Sequence, residues 1–315
     1  MSTDPLSIDV YVAPMRPYTS PDQLGEGEVA TWAPSSSTLI SGPTEGILID
    51  ALLTFENADQ IAAWAKSFGK KITGIYITHG HSDHWLGLAR LLEHFPEARG
   101  YAAPEVAGRA AWEAEFNETS KYWTSRFPGE LPETPVLPEV LNRDEILVDG
   151  QVVNLIHAGQ GDIEGSTIFH VPSADAVACG DVVYNNVHVM MYEADEAKRE
   201  AWIASIELVA SLKPKIVVAG REREGGGPAG EPRGQPAVPT RLHRRREEGR
   251  HGGGPSPGQQ CRDVRYIDGG IPETVSIQTH PVDYPASWHV RPSRRGPGRL
   301  PAHRHRRHVT RGRRP

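Results

Sequence analysis

Residues 72–84 constrain this chain more than any other stretch. The run Ile72-Thr73-Gly74-Ile75-Tyr76-Ile77 passes directly into Thr78-His79-Gly80-His81-Ser82-Asp83-His84. A short apolar run rich in isoleucine predicts a buried strand, and residues 86–95 predict a helix. Three imidazoles and a carboxylate thus fall in a strand-to-helix loop, where a rigid scaffold can present side chains for chemistry. His79 and His81 are two apart, so in extended chain both project to one side and can share a metal. Asp83 and His84 fall where the chain turns into the helix, and their side chains can diverge toward a second metal. Imidazole nitrogen with carboxylate oxygen suits zinc, with iron or manganese as alternatives.

The flanking pattern alternates strands and helices. Residues 7–12, 37–40 and 46–50 predict strands, the last ending in Asp50; residues 57–68 predict a helix with Ile61, Ala62, Trp64 and Ala65 on one face. Residues 104–127 predict a longer helix carrying Trp112, Phe116, Tyr122 and Trp123, followed by a proline-rich loop to Pro138. That aromatic helix is either a lid over the loop site or part of the core. Asp149-Gly150 between apolar runs signals a hairpin. Strands then follow over 151–156, 167–171 and 176–179, an amphipathic helix over 195–212, and a strand over 216–220.

His79-x-His81-x-Asp83-His84 resembles the signature of the metallo-β-lactamase superfamily. Ala178-Cys179-Gly180-Asp181 resembles its second motif, a Gly-Asp after a short strand. The resemblance implies an α+β fold, a four-layer αββα sandwich, and a metal-dependent hydrolase with one or two zinc ions. It implies metal ligation by His79, His81, Asp83 and His84, with Asp181 bridging both ions, and a supporting role for the acid Asp50 beneath the loop. A metal-bound hydroxide would attack an ester, lactone, thioester, amide or phosphoester, and Asp83 would be the catalytic acid that orients it and shuttles a proton. Tyr184 and His188, just past Asp181, are candidates to bind a small-molecule substrate; an ordinary loop is the alternative.

Two ligand positions depart from that pattern. The superfamily expects a histidine in a Gly-His-Thr-like turn, and the matching stretch is Ala158-Gly159-Gln160-Gly161-Asp162, with Gln160 at the ligand place. His157 is a displaced substitute or a plain strand-end histidine. A further histidine is expected after the strand at 216–220, where this chain has Arg221. A guanidinium carries no available lone pair and stays protonated, so it cannot bind zinc. The expectation is therefore a hydrolase impaired at its second metal, or a non-catalytic metal-binding relative.

Charge divides the chain in two. Residues 1–220 hold 14 Lys and Arg against 31 Asp and Glu, whereas residues 221–315 hold 20 Arg against 9 acids. Segments such as Arg244-Arg245-Arg246 and Gly252-Gly253-Gly254-Pro255 cannot build a packed core. The expectation is a domain over 1–224 and a disordered basic tail over 225–315. Two readings of the tail stand: an arm for nucleic acid, or GC-rich codons read out of register. Two cysteines make no disulfide framework, and no secretory signal or membrane-spanning run is visible, so a cytoplasmic location is expected.

Overall fold

The computed structural model describes residues 4–19, 23–24, 28–29, 31–185 and 187–222, and every structural statement below concerns these. The expected tail and its boundary near residue 224 lie outside them. Strand β1 (Ser7–Val12) is followed by four two-residue strands, β2 (Arg16–Pro17), β3 (Gln23–Leu24), β4 (Glu28–Val29) and β5 (Thr31–Trp32). These pair as two small ribbons, β2 with β5 and β3 with β4. Then come β6 (Ser36–Ser41), β7 (Glu45–Ile49), α1 (Phe55–Ser67) and β8 (Lys71–Ile77). Next are α2 (Ser82–Trp85), α3 (Leu88–His94), β9 (Arg99–Ala102), α4 (Pro104–Ser120), α5 (Tyr122–Arg126) and β10 (Glu139–Val140). Six of these strands form one sheet in the order β1-β6-β7-β8-β9-β10.

A second sheet is built from β11 (Glu145–Val148), β12 (Gln151–Gln160), β13 (Glu164–Val171) and β14 (Ala176–Ala178), joined by β16 (Ile216–Val218). Helix α6 (Glu196–Ser211) precedes β16, and the short strands β15 (Tyr184–Asn185) and β17 (Arg221–Glu222) pair in parallel. The two sheets meet through apolar faces. Leu39, Ile47, Ile75 and Ile77 are buried on the first sheet, and Ile168, Phe169 and Val177 on the second. Tyr76 and Phe169 bring rings from β8 and β13 to 6.0 Å. The Thr167 amide donates to the Thr78 carbonyl at 2.8 Å, tying β13 to the end of β8.

Strand β6 is wholly buried although it reads Ser-Ser-Thr-Leu-Ile-Ser. Buried hydroxyls are tolerated only when hydrogen-bonded. Ser36 Oγ donates to the Ala219 carbonyl at 2.5 Å and Ser37 Oγ to the Asp50 carbonyl at 2.7 Å. Helix α1 starts on a capping box: Thr54 Oγ1 accepts the Asn57 amide at 3.2 Å and Asn57 Oδ1 faces the Thr54 amide. Helix α6 starts on Asp195, which accepts the Lys198 amide at 2.9 Å, and packs on β12 through Ser205 Oγ to the Ala158 carbonyl.

Three local details differ from the sequence expectation. The helix expected over 86–95 begins only at Leu88 as α3 and is preceded by the one-turn α2; between them sits Gly87, where any Cβ would collide with the Ala51 carbonyl oxygen. The helix expected over 104–127 breaks at Lys121, which takes the left-handed conformation at φ 55°. Tyr122, Trp123 and Phe127 beyond the break are buried in the core, whereas Trp112 stays 44% exposed and stacks on Phe116. The short strand β9 carried too few β-branched residues to stand out. Among the described residues, no helix is long and apolar enough to cross a membrane.

Candidate metal centre

The loop after β8 rests on one carboxylate. β7 ends at Asp50, whose φ of 66° lies in the left-handed region that aspartate tolerates better than most residues. That bend aims its carboxylate at the end of β8. Asp50 accepts the Thr78 amide and hydroxyl, each at 2.8 Å, and pairs with His84 Nδ1 at 2.9 Å. Thr78 Oγ1 in turn lies 3.0 Å from His79 Nδ1. Because the hydroxyl proton goes to Asp50, His79 Nδ1–H donates to it, and Nε2 is left free of a proton. Gly180 at φ 50° packs against this node, where a Cβ would collide with Thr78 Oγ1.

Two of the sequence candidates and one residue outside that set converge here. His79 and His81 bring their rings to 5.1 Å, and the carboxylate that faces them is Asp162, which is fully buried. His81 Nδ1 is 2.9 Å from Asp162 Oδ2, and His79 Nε2 is 3.6 Å from Asp162 Oδ1. Neither His79 Nε2 nor Asp162 Oδ1 has a hydrogen-bond partner among the described residues. Gln160, expected at this ligand place, instead donates its side-chain amide to the Gly161 carbonyl at 3.1 Å. The turn after β12 closes through the Gly161 amide to the Ile163 carbonyl at 2.9 Å, and Asp162 between them faces the histidines. His157 is turned to other partners, Glu105 at Nδ1 and Asp144 at Nε2.

Beside this group lies a second, built on Asp181. His84 Nε2 is 3.3 Å from Asp181 Oδ1, and the Tyr184 hydroxyl donates to Asp181 Oδ2 at 2.7 Å. Into the same space comes Arg221, only 5% exposed. Its Nε donates to Asp181 Oδ2 at 2.9 Å, Nη1 to Ser35 Oγ at 2.8 Å, and Nη2 to Asp83 Oδ2. Its guanidinium also lies 5.3 Å from the centre of the Trp32 ring. Burial works against every charge here, but the opposite charges outweigh it. Arg221 holds Asp83 below the usual carboxylate range and Asp181 well below it, helped by His84. Asp181, Asp83 and Asp50 push His84 up to about 10, while burial beside His84 drives His79 down to about 4.

The two substrate candidates divide. Tyr184 is buried with its hydroxyl on Asp181, so it builds the wall of the site. His188 is exposed, with Nδ1 3.4 Å from the Val189 carbonyl. Two side chains that sequence reasoning passed over, Glu193 and Arg109, close the outer side of His81: Glu193 lies 3.4 Å from His81 Nε2 and 2.7 Å from Arg109.

A sequence profile described as the Metallo-beta-lactamase superfamily matches residues 30–221, more than half of the 315. The chain belongs to the metallo-beta-lactamase superfamily. Solved structures similar to it include the metallo-beta-lactamase from Pontibacter korlensis, 18% identical, with a TM-score of 0.49, covering 69% of this chain and 91% of that one. The metallo-beta-lactamase from Hirschia baltica is 17% identical, with a TM-score of 0.48, covering 70% and 92%. A metallo-beta-lactamase family protein from Thermus thermophilus is 19% identical, with a TM-score of 0.45, covering 68% and 73%. None of the curated proteins matches the chain.

The superfamily implies metal, and the donors can be tested against that. His79, His81 and Asp162 each bring a donor atom within 4.8 Å of the others, as do His79, His84 and Asp181. The first set fits a cation: two imidazoles, a carboxylate, and two buried donor atoms with no other partner. At the second place Asp181 Oδ1 is likewise buried and without a hydrogen-bond partner among the described residues, but a cation there would face the positive charge of Arg221. Asp83 and Asp181, the acids that the metallo-beta-lactamase signature assigns there, are both held by the guanidinium of Arg221.

Proposed function

We propose that the chain is a metal-dependent hydrolase of the metallo-beta-lactamase superfamily that works with a single cation, zinc by donor type, held by His79, His81 and Asp162. The observation that carries this reading is the convergence of those three residues, with His79 Nε2 and Asp162 Oδ1 buried and unpartnered among the described residues. A buried polar atom without a partner costs about 1–3 kcal/mol, which a bound cation removes. The chemistry such an ion supplies is polarisation of a carbonyl or phosphoryl oxygen and acidification of water.

The protein's own part is positioning. Thr78 fixes the ring orientation of the ligand His79, an arrangement that raises ligand basicity, and Asp50 fixes that of the neighbouring His84. Asp83 is the acid expected to orient the hydroxide and shuttle a proton, and here its Oδ2 is held by Arg221. Proton transfer through Asp83 therefore requires its exchange away from Arg221, which lowers turnover relative to a chain with histidine at 221. Substrates are esters, lactones, thioesters, amides or phosphoesters, the centres such chemistry attacks.

A second reading, a metal-binding protein without turnover, is favoured by the same contact, since Arg221 occupies both Asp83 and Asp181. One experiment separates the two. Zinc content and hydrolysis of a panel of esters, lactones and phosphodiesters are measured on the parent chain and on Asp162→Ala. Turnover that tracks zinc and vanishes in Asp162→Ala supports the hydrolase; zinc bound without turnover of any panel member supports the second reading.

A further inference from the structure

We infer that Glu193 is a positioning residue for the metal site: pinned by Arg109, it holds the outer nitrogen of His81 so that Nδ1 faces the cation. This rests on the reading of His79, His81 and Asp162 as ligands. Each of the three imidazoles in the cluster has one nitrogen turned inward and the other anchored outward. His79 Nδ1 is anchored through Thr78 Oγ1, and His84 Nδ1 through Asp50. For His81 the pattern is reversed: Nδ1 is the inward atom, 2.9 Å from Asp162, and Nε2 points out to Glu193 Oε1 at 3.4 Å. A carboxylate can only accept, so Glu193 holds the Nε2 proton outward while Nδ1 faces Asp162, and a cation bound there would take the place of the Nδ1 proton.

Glu193 is itself held. Arg109 presents Nη2 to Glu193 Oε1 at 2.7 Å and Nη1 to Oε2 at 3.0 Å, a two-point fork that fixes the plane of the carboxylate. The fork is anchored on α4, where Glu113 takes Nη2 at 2.8 Å and Nε at 3.2 Å. Glu113, buried at 4% exposure, also accepts the Ser82 hydroxyl at 2.8 Å, which ties α4 to the turn carrying His81. His81, Glu113 and Glu193 also bring donor atoms within 4.8 Å of one another, but Arg109 sits among those two acids, so the group serves His81 and is not a cation site of its own. No position in the superfamily signature foretells Glu193, because the contact spans 112 residues.

The test is zinc affinity of the full chain, stripped of metal and titrated against a chromophoric chelator, with cobalt absorption as a readout of ligand geometry. Loss of a partner that orients a ligand costs about 10- to 100-fold in affinity, so Glu193→Ala is expected to weaken zinc by that factor and to shift the cobalt bands. Glu193→Gln keeps an acceptor oxygen and is expected to recover most of the loss. Glu115→Ala, an exposed acid on α4, is expected to change neither readout. A folded Glu193→Ala that binds zinc as tightly as the parent overturns the inference, as does a Glu193→Gln no better than Glu193→Ala. Asp162→Ala, run alongside, keeps the two readings apart: if it too binds zinc unchanged, the ligand assignment itself has failed.

Discussion

Arg221 Nε lies 2.9 Å from Asp181 Oδ2, inside the protein, and the same guanidinium reaches Asp83. The chain thus carries a covalently attached cation at the place where the superfamily signature puts a metal ligand. Removing it by Arg221→Ala leaves two buried carboxylates with His84 as their one remaining cationic neighbour among the described residues, and breaking a buried pair of this kind costs about 3–5 kcal/mol. Urea unfolding of the stripped protein checks this. Arg221→His frees Asp83 and Asp181 and supplies an imidazole, so a second zinc is expected on metal analysis, with a rise in ester or lactone turnover. A histidine variant holding no more zinc than the parent would refute the account.

Asp162 and Gln160 give opposite expectations, although they stand two residues apart. Asp162→Ala removes a donor and is expected to lower zinc affinity by more than about 100-fold, beyond the usual cost of an orienting partner. Gln160→Ala leaves His79, His81 and Asp162 in place and is expected to retain the metal. Equal losses in both variants, measured by chelator competition, would restore Gln160 as the ligand.

Gly87 tests how tightly the loop is packed beneath the site. A Cβ there runs into the Ala51 carbonyl oxygen, which is backbone and cannot rotate away. Gly87→Ala is expected to cost about 1–3 kcal/mol, the usual range for overpacking. It should also loosen the Asp50–His84 contact, since the His84 carbonyl accepts the Ala51 amide at 2.8 Å. Denaturant midpoints give the first effect; an unchanged midpoint sinks it.

Asp59 joins α1 to α3 through Arg90 Nε at 2.7 Å and His94 Nε2 at 2.6 Å. Arg90 and then His94 hold its carboxyl below the usual range. A lowered folded value stabilises above the unfolded one, about 3.9, and the gain fades as pH falls through the folded value. The side chain is 43% exposed, so the gain is below about 1 kcal/mol after screening. Asp59→Asn is expected to be slightly less stable than the parent at pH 7, with the gap narrowing as pH falls below about 3.9 and through the folded value; a gap of constant size across the acid range contradicts the linkage.

Much of the fold was legible because its signals are local. The isoleucines of β8, the apolar face of α1 and the Asp149-Gly150 turn each announce themselves within a few residues. What escaped was also physical. A helix pattern continued through Lys121, because no proline or glycine marks the left-handed break. Asp162 escaped because a carboxylate in a glycine-flanked turn reads as an ordinary turn residue, and the histidine pattern points at Gln160.

By itself the sequence determined the donor types and their order: imidazoles at 79, 81 and 84, acids at 83 and 181, and an arginine where a histidine was expected. Short-range spacing settles which side chains leave one loop together. Only the tertiary structure decided which acid meets which imidazole, and what Arg221 does. Asp162 reaches His81 across 81 residues, and Arg221 reaches Asp83 across 138. Contacts at that separation are set by how two sheets close on each other and by which buried charges must find partners there, and neither condition is written in any local run of residues.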